Sequence, residues 1–134
     1  MTRDFVGLER EVGALGLPAQ DAALLVDVPQ LRGGPEILDA LPSSAADAVV
    51  GLRQVLERLD TAVAEKVIVD LGLFRGLGYY TGAVFDVLDP SLGMPIGGGG
   101  RYDDLLGRFG RPLPAVGFAL GVDRLHTAIA GVKR

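Results

Sequence analysis

Residues 71–125 read LGLFRGLGYYTGAVFDVLDPSLGMPIGGGGRYDDLLGRFGRPLPAVGFALGVDRL. Three glycine-punctuated segments follow one another inside this stretch: RGLGYYTG at 75–82, GGGGRYD at 97–103 and GFALGVDR at 117–124. Each joins glycine, which lets another group approach the backbone closely, to an arginine or a tyrosine, side chains suited to anionic or planar ligands. Together they read as the floor and walls of one small-molecule pocket.

The sequence around these segments alternates as a sheet does. KVIVDL at 66–71 is short and β-branched and predicts a strand entering the sheet. Residues 79–88 alternate and predict a second strand, and the turn DPSLG at 89–93 leads into a third across 94–101. Residues 102–109 read as helical until Pro112 and Pro114 interrupt them. A final strand at 115–120 feeds a helix at 122–130, and strands joined by so short a turn are antiparallel.

The N-terminal half is helical by its spacing. Phe5, Leu8, Val12 and Leu15 recur at helical intervals until Gly16 and Pro18 end the run. A second short helix is expected at 19–26, then a loop at 29–35 in which Pro35 opens a turn running to about residue 41. Ser43 or Ser44 is expected to cap the longest helix, with Val49, Leu52, Val55, Leu56, Leu59 and Val63 as its apolar stripe.

Composition sets the bounds. A chain of 134 residues is one domain's worth of core, and 49% hydrophobic with 22% charged residues marks it as globular. It contains no cysteine, which excludes a disulfide framework and a thiolate metal site. The cysteine-free composition fits a cytoplasmic protein, and no secretory signal and no apolar run of membrane-spanning length is visible. The net charge of −4 divides into +3 over residues 101–134 and −7 over the remainder. A basic final third suits an anionic ligand near the glycine segments, whereas its scattered cations and few aromatics do not suggest a nucleic-acid groove.

These motifs carry a resemblance. RGLGYYTGAVFD (75–86) resembles the histidine-binding signature of histidyl-tRNA synthetases, GGGGRYDDLL (97–106) resembles their second such signature, and GFALGVDRL (117–125) resembles motif 3 of class II aminoacyl-tRNA synthetases. The finer detail is closer to the synthetase-like regulatory subunits of ATP phosphoribosyltransferase. Thr81 and Gly82 stand where synthetases usually carry Asn-Arg, and LRGGPE (31–36) is similar to a segment of the regulatory subunits' linker region. The resemblance covers roughly residues 20–131 and only the C-terminal part of the synthetase-like domain.

It implies an α+β fold: a helical N-terminal half, then part of a class II synthetase-like antiparallel sheet with flanking helices. Residues 1–65 would be a helical insertion or linker and 66–134 the C-terminal part of the core, one structural domain that is a piece of a longer one. The resemblance also implies roles for particular residues. Arg75 would contact a carboxylate or phosphate, and Tyr80 would face the imidazole side of a histidine-like ligand. Tyr79 and Tyr80 would point to opposite faces if they lie in a strand. Gly98, Gly99 and Gly100 would form the pocket floor, with Arg101 and Tyr102 at its edge, while Gly121 and Arg124 would belong to a nucleotide-like site. Gly78 departs from the pattern, since both families usually place an aspartate there that orients neighbouring groups. Asp123 replaces a usual glutamate.

Plainer readings stand beside these. Arg75 could be a surface cation in a glycine-rich turn, and Arg124 could be paired with Asp123. The Gly97–Gly100 run is no phosphate loop, because no Gly-Lys-Ser/Thr follows it and Tyr102 occupies the third glycine position of a dinucleotide fingerprint. Asp103 and Asp104 read as solvated residues in a helix's first turn. His126, the only histidine, has no partner set for a triad or a metal centre and reads as a helix-surface or core residue.

Three functions follow. The first is a non-catalytic regulatory subunit of ATP phosphoribosyltransferase that binds histidine or a related ligand, with histidine as an effector, and contacts the catalytic subunit in a homo- and hetero-oligomer. The second is part of a histidyl-tRNA synthetase, whose chemistry needs motif 1 and the motif 2 arginine, to which nothing in residues 1–65 is similar. The third is an interaction domain with a vestigial pocket. No catalytic residue, metal, cofactor, membrane or nucleic-acid partner is expected.

Overall fold

The computed structural model describes residues 4–131 apart from Leu77, which belongs to the first glycine motif and lies outside the described residues. The chain forms two compact units, one through Phe74 and one from Arg75 onward.

The first unit is mostly helical. Helix α1 (Phe5–Ala14) starts where the Asp4 carboxylate accepts the Gly7 N–H at 2.8 Å, satisfying one of the free donors of the first turn. It stops before Gly16, whose φ of +62° is the left-handed conformation that a helix terminus favours and glycine adopts without strain. Helix α2 (Ala19–Asp27) follows Pro18 and runs into a 3₁₀ turn, Val28–Gln30. Strand β1 (Arg32–Gly33) comes next, where a loop was expected; a two-residue strand carries no periodicity for a sequence to reveal. Pro35 opens a 3₁₀ helix, Pro35–Ala40, as its fixed φ predicts.

The expected long helix is interrupted. Ser43 and Ser44 sit in a 3₁₀ turn, Ser43–Ala45, and make no capping bond; α3 (Ala46–Leu56) starts after them with Ala45 as its N-cap. The helix ends at Leu56, Asp60 turns extended, and α4 (Thr61–Ala64) is a separate single turn. Leu59 and Val63 therefore continue the apolar spacing without continuing the helix. Strand β2 (Val69–Asp70) pairs antiparallel with β1, Gly33 opposite Val69. The strand expected at 66–71 thus joins a small ribbon of its own and not the main sheet, because its partner is β1.

The core of this unit is Leu38, Val49 and Val69, with Ile37, Leu41, Leu52, Leu56, Val67 and Leu71 packed around them. Leu38 is 1% exposed, and burying such a side chain stabilises by about 1.5–3 kcal/mol. Arg53 fastens α3 to the 3₁₀ helix, donating to Asp39 at 2.8 Å and to the Leu38 carbonyl at 2.6 Å.

The second unit is an antiparallel three-stranded sheet in the order β3-β4-β5, followed by α5 (Val122–Ala130). Strand β3 (Val84–Val87) sets Val84 opposite Gly100 and Val87 opposite Gly97 on β4 (Gly97–Tyr102). On the other side of β4, β5 (Ala115–Leu120) sets Ala119 opposite Gly98 and Gly117 opposite Gly100. Residues directly opposite share a face, so Asp86, Gly98, Gly100, Tyr102 and Gly117 lie on one side. Phe85, Val87, Gly97, Gly99, Arg101 and Phe118 lie on the other.

Strand β3 is shorter than expected, and Tyr79 and Tyr80 precede it. The opposite-face argument for that pair therefore fails. The residues expected to be helical after Tyr102 form only a 3₁₀ turn, Leu106–Phe109. Asp103 lies ahead of that turn and is not simply solvated, since it accepts the Arg101 Nε–H at 2.9 and 3.0 Å.

Candidate functional site

At the centre of the sheet β4 carries four consecutive glycines, and what fills the room they leave is side chains and backbone of the same unit. Over Gly98 lies an ion pair between Arg75 Nη2 and Asp86 Oδ1, with side chains only 24% and 21% exposed. A Cβ at residue 98 would collide with both groups and with the Phe85 carbonyl. Over Gly100 lies the Tyr80 ring, which a Cβ would meet at 2.8 Å. Over Gly117 lies the Tyr102 hydroxyl, and a Cβ there would collide with it.

The three tyrosines of the chain form one cluster. The rings of Tyr79 and Tyr80 are 4.5 Å apart between centroids, Tyr79 and Tyr102 meet edge-on at 5.5 Å, and Tyr80 and Tyr102 are at 6.2 Å. These are ordinary attractive arrangements for aromatic pairs. The Tyr79 hydroxyl donates to that of Tyr80 at 3.3 Å, which raises the Tyr79 phenol above its ordinary pKa, with burial adding to the rise. Asp86 raises the pKa of Arg75 above its ordinary value, against burial, which lowers it; Tyr80 adds a smaller push upward. Arg75 is thus a fixed cation at any physiological pH. Its Nε–H is sealed from solvent and meets no acceptor among the described residues.

The structure thus brings Arg75, Tyr79, Tyr80, Gly98, Gly100 and Tyr102 together. Gly99 and Arg101 face the opposite side of β4. A Cβ at Gly99 would run into Phe118 and the Gly117 carbonyl, and Arg101 pairs with Asp103 while its stem lies over Gly82. Gly121 and Arg124 form a separate cluster at the start of α5. Arg124 curls back over Gly121, donates from Nε to the Ile96 carbonyl at 3.3 Å, and sets Nη1 3.7 Å from Met94 Sδ. His126 lies exposed on α5. Among the described residues, no group of three or more His, Cys, Asp or Glu side chains is placed to hold a metal ion.

Asp86 is the member that reading the motifs overlooked. Alternation in VFDV sets this single acid apart from Phe85 and Val87, and the register opposite Gly98 then puts it on the face of Gly98 and Gly100, where an unpaired charge would be costly.

The family model described as Histidyl-tRNA synthetase matches residues 1–125. The chain belongs to the histidyl-tRNA synthetase family. Within it, the chain is similar to the ATP phosphoribosyltransferase regulatory subunit of Desulforamulus reducens, 45% identical over 133 residues that make up 95% of this chain and 33% of that protein. The regulatory subunit of the same name from Geobacillus thermodenitrificans is 42% identical, over 95% of this chain and 34% of that protein. A solved structure from Bacillus halodurans C, described as an ATP phosphoribosyltransferase regulatory subunit/histidyl-tRNA synthetase, superposes with a TM-score of 0.79. It is 34% identical and covers 92% of this chain and 34% of its own. The chain thus spans about a third of the length of these relatives. The α+β fold with its antiparallel sheet is the one expected from the resemblance, and the motifs that carried that resemblance lie inside the match. Among the described residues, no helix is long and apolar enough to cross a membrane.

Proposed function

We propose that this chain is part of a non-catalytic regulatory subunit of ATP phosphoribosyltransferase in histidine biosynthesis, and that its second unit binds histidine or a related ligand. The observation that carries this reading is the convergence of a charged, partly buried Arg75 and three tyrosines on a strip of sheet with almost no side chains of its own. In this reading Arg75 meets the ligand carboxylate, since a guanidinium held in place binds an anion without reorganising. Tyr80 offers its hydroxyl to a polar atom of the imidazole ring, and Tyr79 and Tyr102 supply an apolar wall. Gly98 and Gly100 act by admitting the ion pair and the Tyr80 ring. Gly99 and Arg101, on the reverse face, fall outside the proposed contact set, and Gly121 with Arg124 is reserved for a nucleotide-like group.

The names of the similar proteins support the regulatory role and a catalytic ATP phosphoribosyltransferase subunit as partner; a homo- and hetero-oligomeric assembly and a cytoplasmic location are part of the same proposal. In the same reading, residues 1–65 are a helical insertion or linker and 66–134 the C-terminal part of the synthetase-like core. The alternative is part of a histidyl-tRNA synthetase. It draws on the family model and on a 34% identical structure from Alicyclobacillus acidocaldarius described as a histidine–tRNA ligase subunit, with a TM-score of 0.55. Two measurements separate them. The regulatory reading predicts co-elution with a catalytic phosphoribosyltransferase subunit and no histidine-dependent pyrophosphate exchange. Exchange without co-elution refutes it.

A further inference from the structure

Met94 carries the only sulfur atom among the described residues, because the chain has no cysteine and its other methionine, Met1, lies outside them. It sits in the connection between β3 and β4, past the turn in which the Leu92 N–H donates to the Asp89 carbonyl. Ile96, a buried residue, closes that connection. Its N–H donates to the Val87 carbonyl and its own carbonyl accepts the Gly121 N–H, each at 2.8 Å, so the connection and the start of α5 meet there. The Met94 side chain stays outside this joint and is 57% exposed.

Arg124 bridges the two segments. Gly121 has no side chain, so the guanidinium lies back over it, with Nε donating to the Ile96 carbonyl at 3.3 Å and Nη1 standing 3.7 Å from Met94 Sδ. A thioether is a weak acceptor, and this contact holds little. A sulfoxide would present a polar oxygen to the same N–H.

We propose that Met94 is an oxidation site whose product Arg124 reads: a hydroperoxide converts the thioether to the sulfoxide, and the new oxygen accepts the Arg124 Nη1–H, fastening the β3–β4 connection to the first turn of α5. With hydrogen peroxide as the oxidant, Sδ attacks one peroxide oxygen and the O–O bond breaks as the S–O bond forms. Sulfur gives up two electrons, and the second oxygen leaves as water carrying both protons. In a packed core this change is disruptive. Here the sulfur side chain is already more than half in solvent, so the polar product gives up little burial, while a weak contact becomes a charge-assisted hydrogen bond. Sulfoxide reductases reverse the step. None of this requires a ligand in the glycine-rich site.

The test uses the full 134-residue chain. It is treated with dilute hydrogen peroxide, peptide mass verifies the addition of one oxygen at Met94, and urea unfolding of the second unit is followed by tyrosine fluorescence, all three tyrosines lying in that unit. Oxidised wild type is expected to unfold at a higher urea midpoint than the reduced protein, with an unfolding constant lower by about threefold, as suits a charge-assisted bond that solvent partly screens. Methionine sulfoxide reductases should return the original midpoint. Met94→Gln, whose amide carbonyl stands in for the sulfoxide oxygen, should show the raised midpoint without oxidant. Met94→Leu given the same peroxide carries any effect of Met1 and should not respond, and in Arg124→Ala oxidation should produce no rise. An unchanged or lowered midpoint in the oxidised wild type overturns the proposal, as does a rise of the same size in Arg124→Ala. Should Arg124→Ala fail to fold, Met94→Gln against Met94→Leu decides: a higher midpoint in Met94→Gln supports the proposal, and equal midpoints overturn it.

Discussion

Replacing Gly98 with alanine tests the packing of the site without touching any of its chemical groups. A methyl group at 98 would fall 2.7 Å from Asp86 Oδ1 and nearer still to Arg75 Nη2 and the Phe85 carbonyl. The two side chains can swing aside, but the carbonyl belongs to the β3–β4 ladder and cannot. Overpacking of this kind costs about 1–3 kcal/mol, and the backbone clash places Gly98→Ala in the upper half of that range. The assay is urea unfolding followed by tyrosine fluorescence, which reports the second unit alone because Tyr79, Tyr80 and Tyr102 all belong to it. With an m-value of about 1 kcal/mol per M for so small a unit, the midpoint should fall by roughly 2 M. Gly93→Ala is the control, since a Cβ there meets nothing within 4 Å, and it should shift stability by less than about 0.5 kcal/mol. In an Arg75→Ala background the cost of Gly98→Ala should fall without vanishing, because the Phe85 carbonyl remains. Coincident unfolding curves for Gly98→Ala and Gly93→Ala would refute the claim that the ion pair is seated on Gly98.

Other outcomes follow from the same structure. Leu38→Ala removes the most deeply buried side chain of the first unit and should cost about 2–5 kcal/mol, read from the helical circular dichroism signal. Ultraviolet titration of the phenol band should show one tyrosine ionising above the ordinary value of about 10, and Tyr80→Phe should bring it back, since the Tyr80 hydroxyl is the main cause of the Tyr79 shift. Because that folded-state value is raised, the stability it contributes is complete below the unfolded value and is lost as pH climbs through the folded one. Asp89 behaves in the opposite sense. Ser91 lowers its pKa through side-chain and backbone bonds, so its contribution is complete above the ordinary carboxylate range and fades as pH falls through the lowered value, which an NMR titration of wild type against Ser91→Ala would follow.

Much of the fold was legible because its elements are local. The spacing of Phe5, Leu8 and Val12 gave α1, Gly16 and Pro18 closed it, Pro35 opened a later helical turn, and residues 115–130 read directly as strand then helix. The break between α3 and α4 was not legible, because Leu59 and Val63 keep the apolar period while the backbone turns extended at Asp60. The β1–β2 ribbon escaped for a different reason: its two-residue strands are defined by pairing between Arg32–Gly33 and Val69–Asp70, which no local pattern encodes. At the site, Arg75, Tyr80 and Tyr102 could be found by residue type next to glycine. Asp86 could be found only by combining strand alternation with the register that sets Asp86 opposite Gly98. Arg101 shows the converse. It adjoins the glycine run in sequence, but one step along a strand reverses the face, and its charge is taken by Asp103.

The central claim is that Arg75 anchors the carboxylate of a histidine-like ligand, and calorimetric titration of histidine into wild type and Arg75→Ala tests it most directly. A charge-assisted contact of this kind is worth about 1.5–3 kcal/mol, so the variant should bind roughly ten- to a hundredfold more weakly. His126→Ala, altering an exposed residue of α5, should bind as the wild type does. Histidine binding of equal strength in wild type and Arg75→Ala would contradict the account.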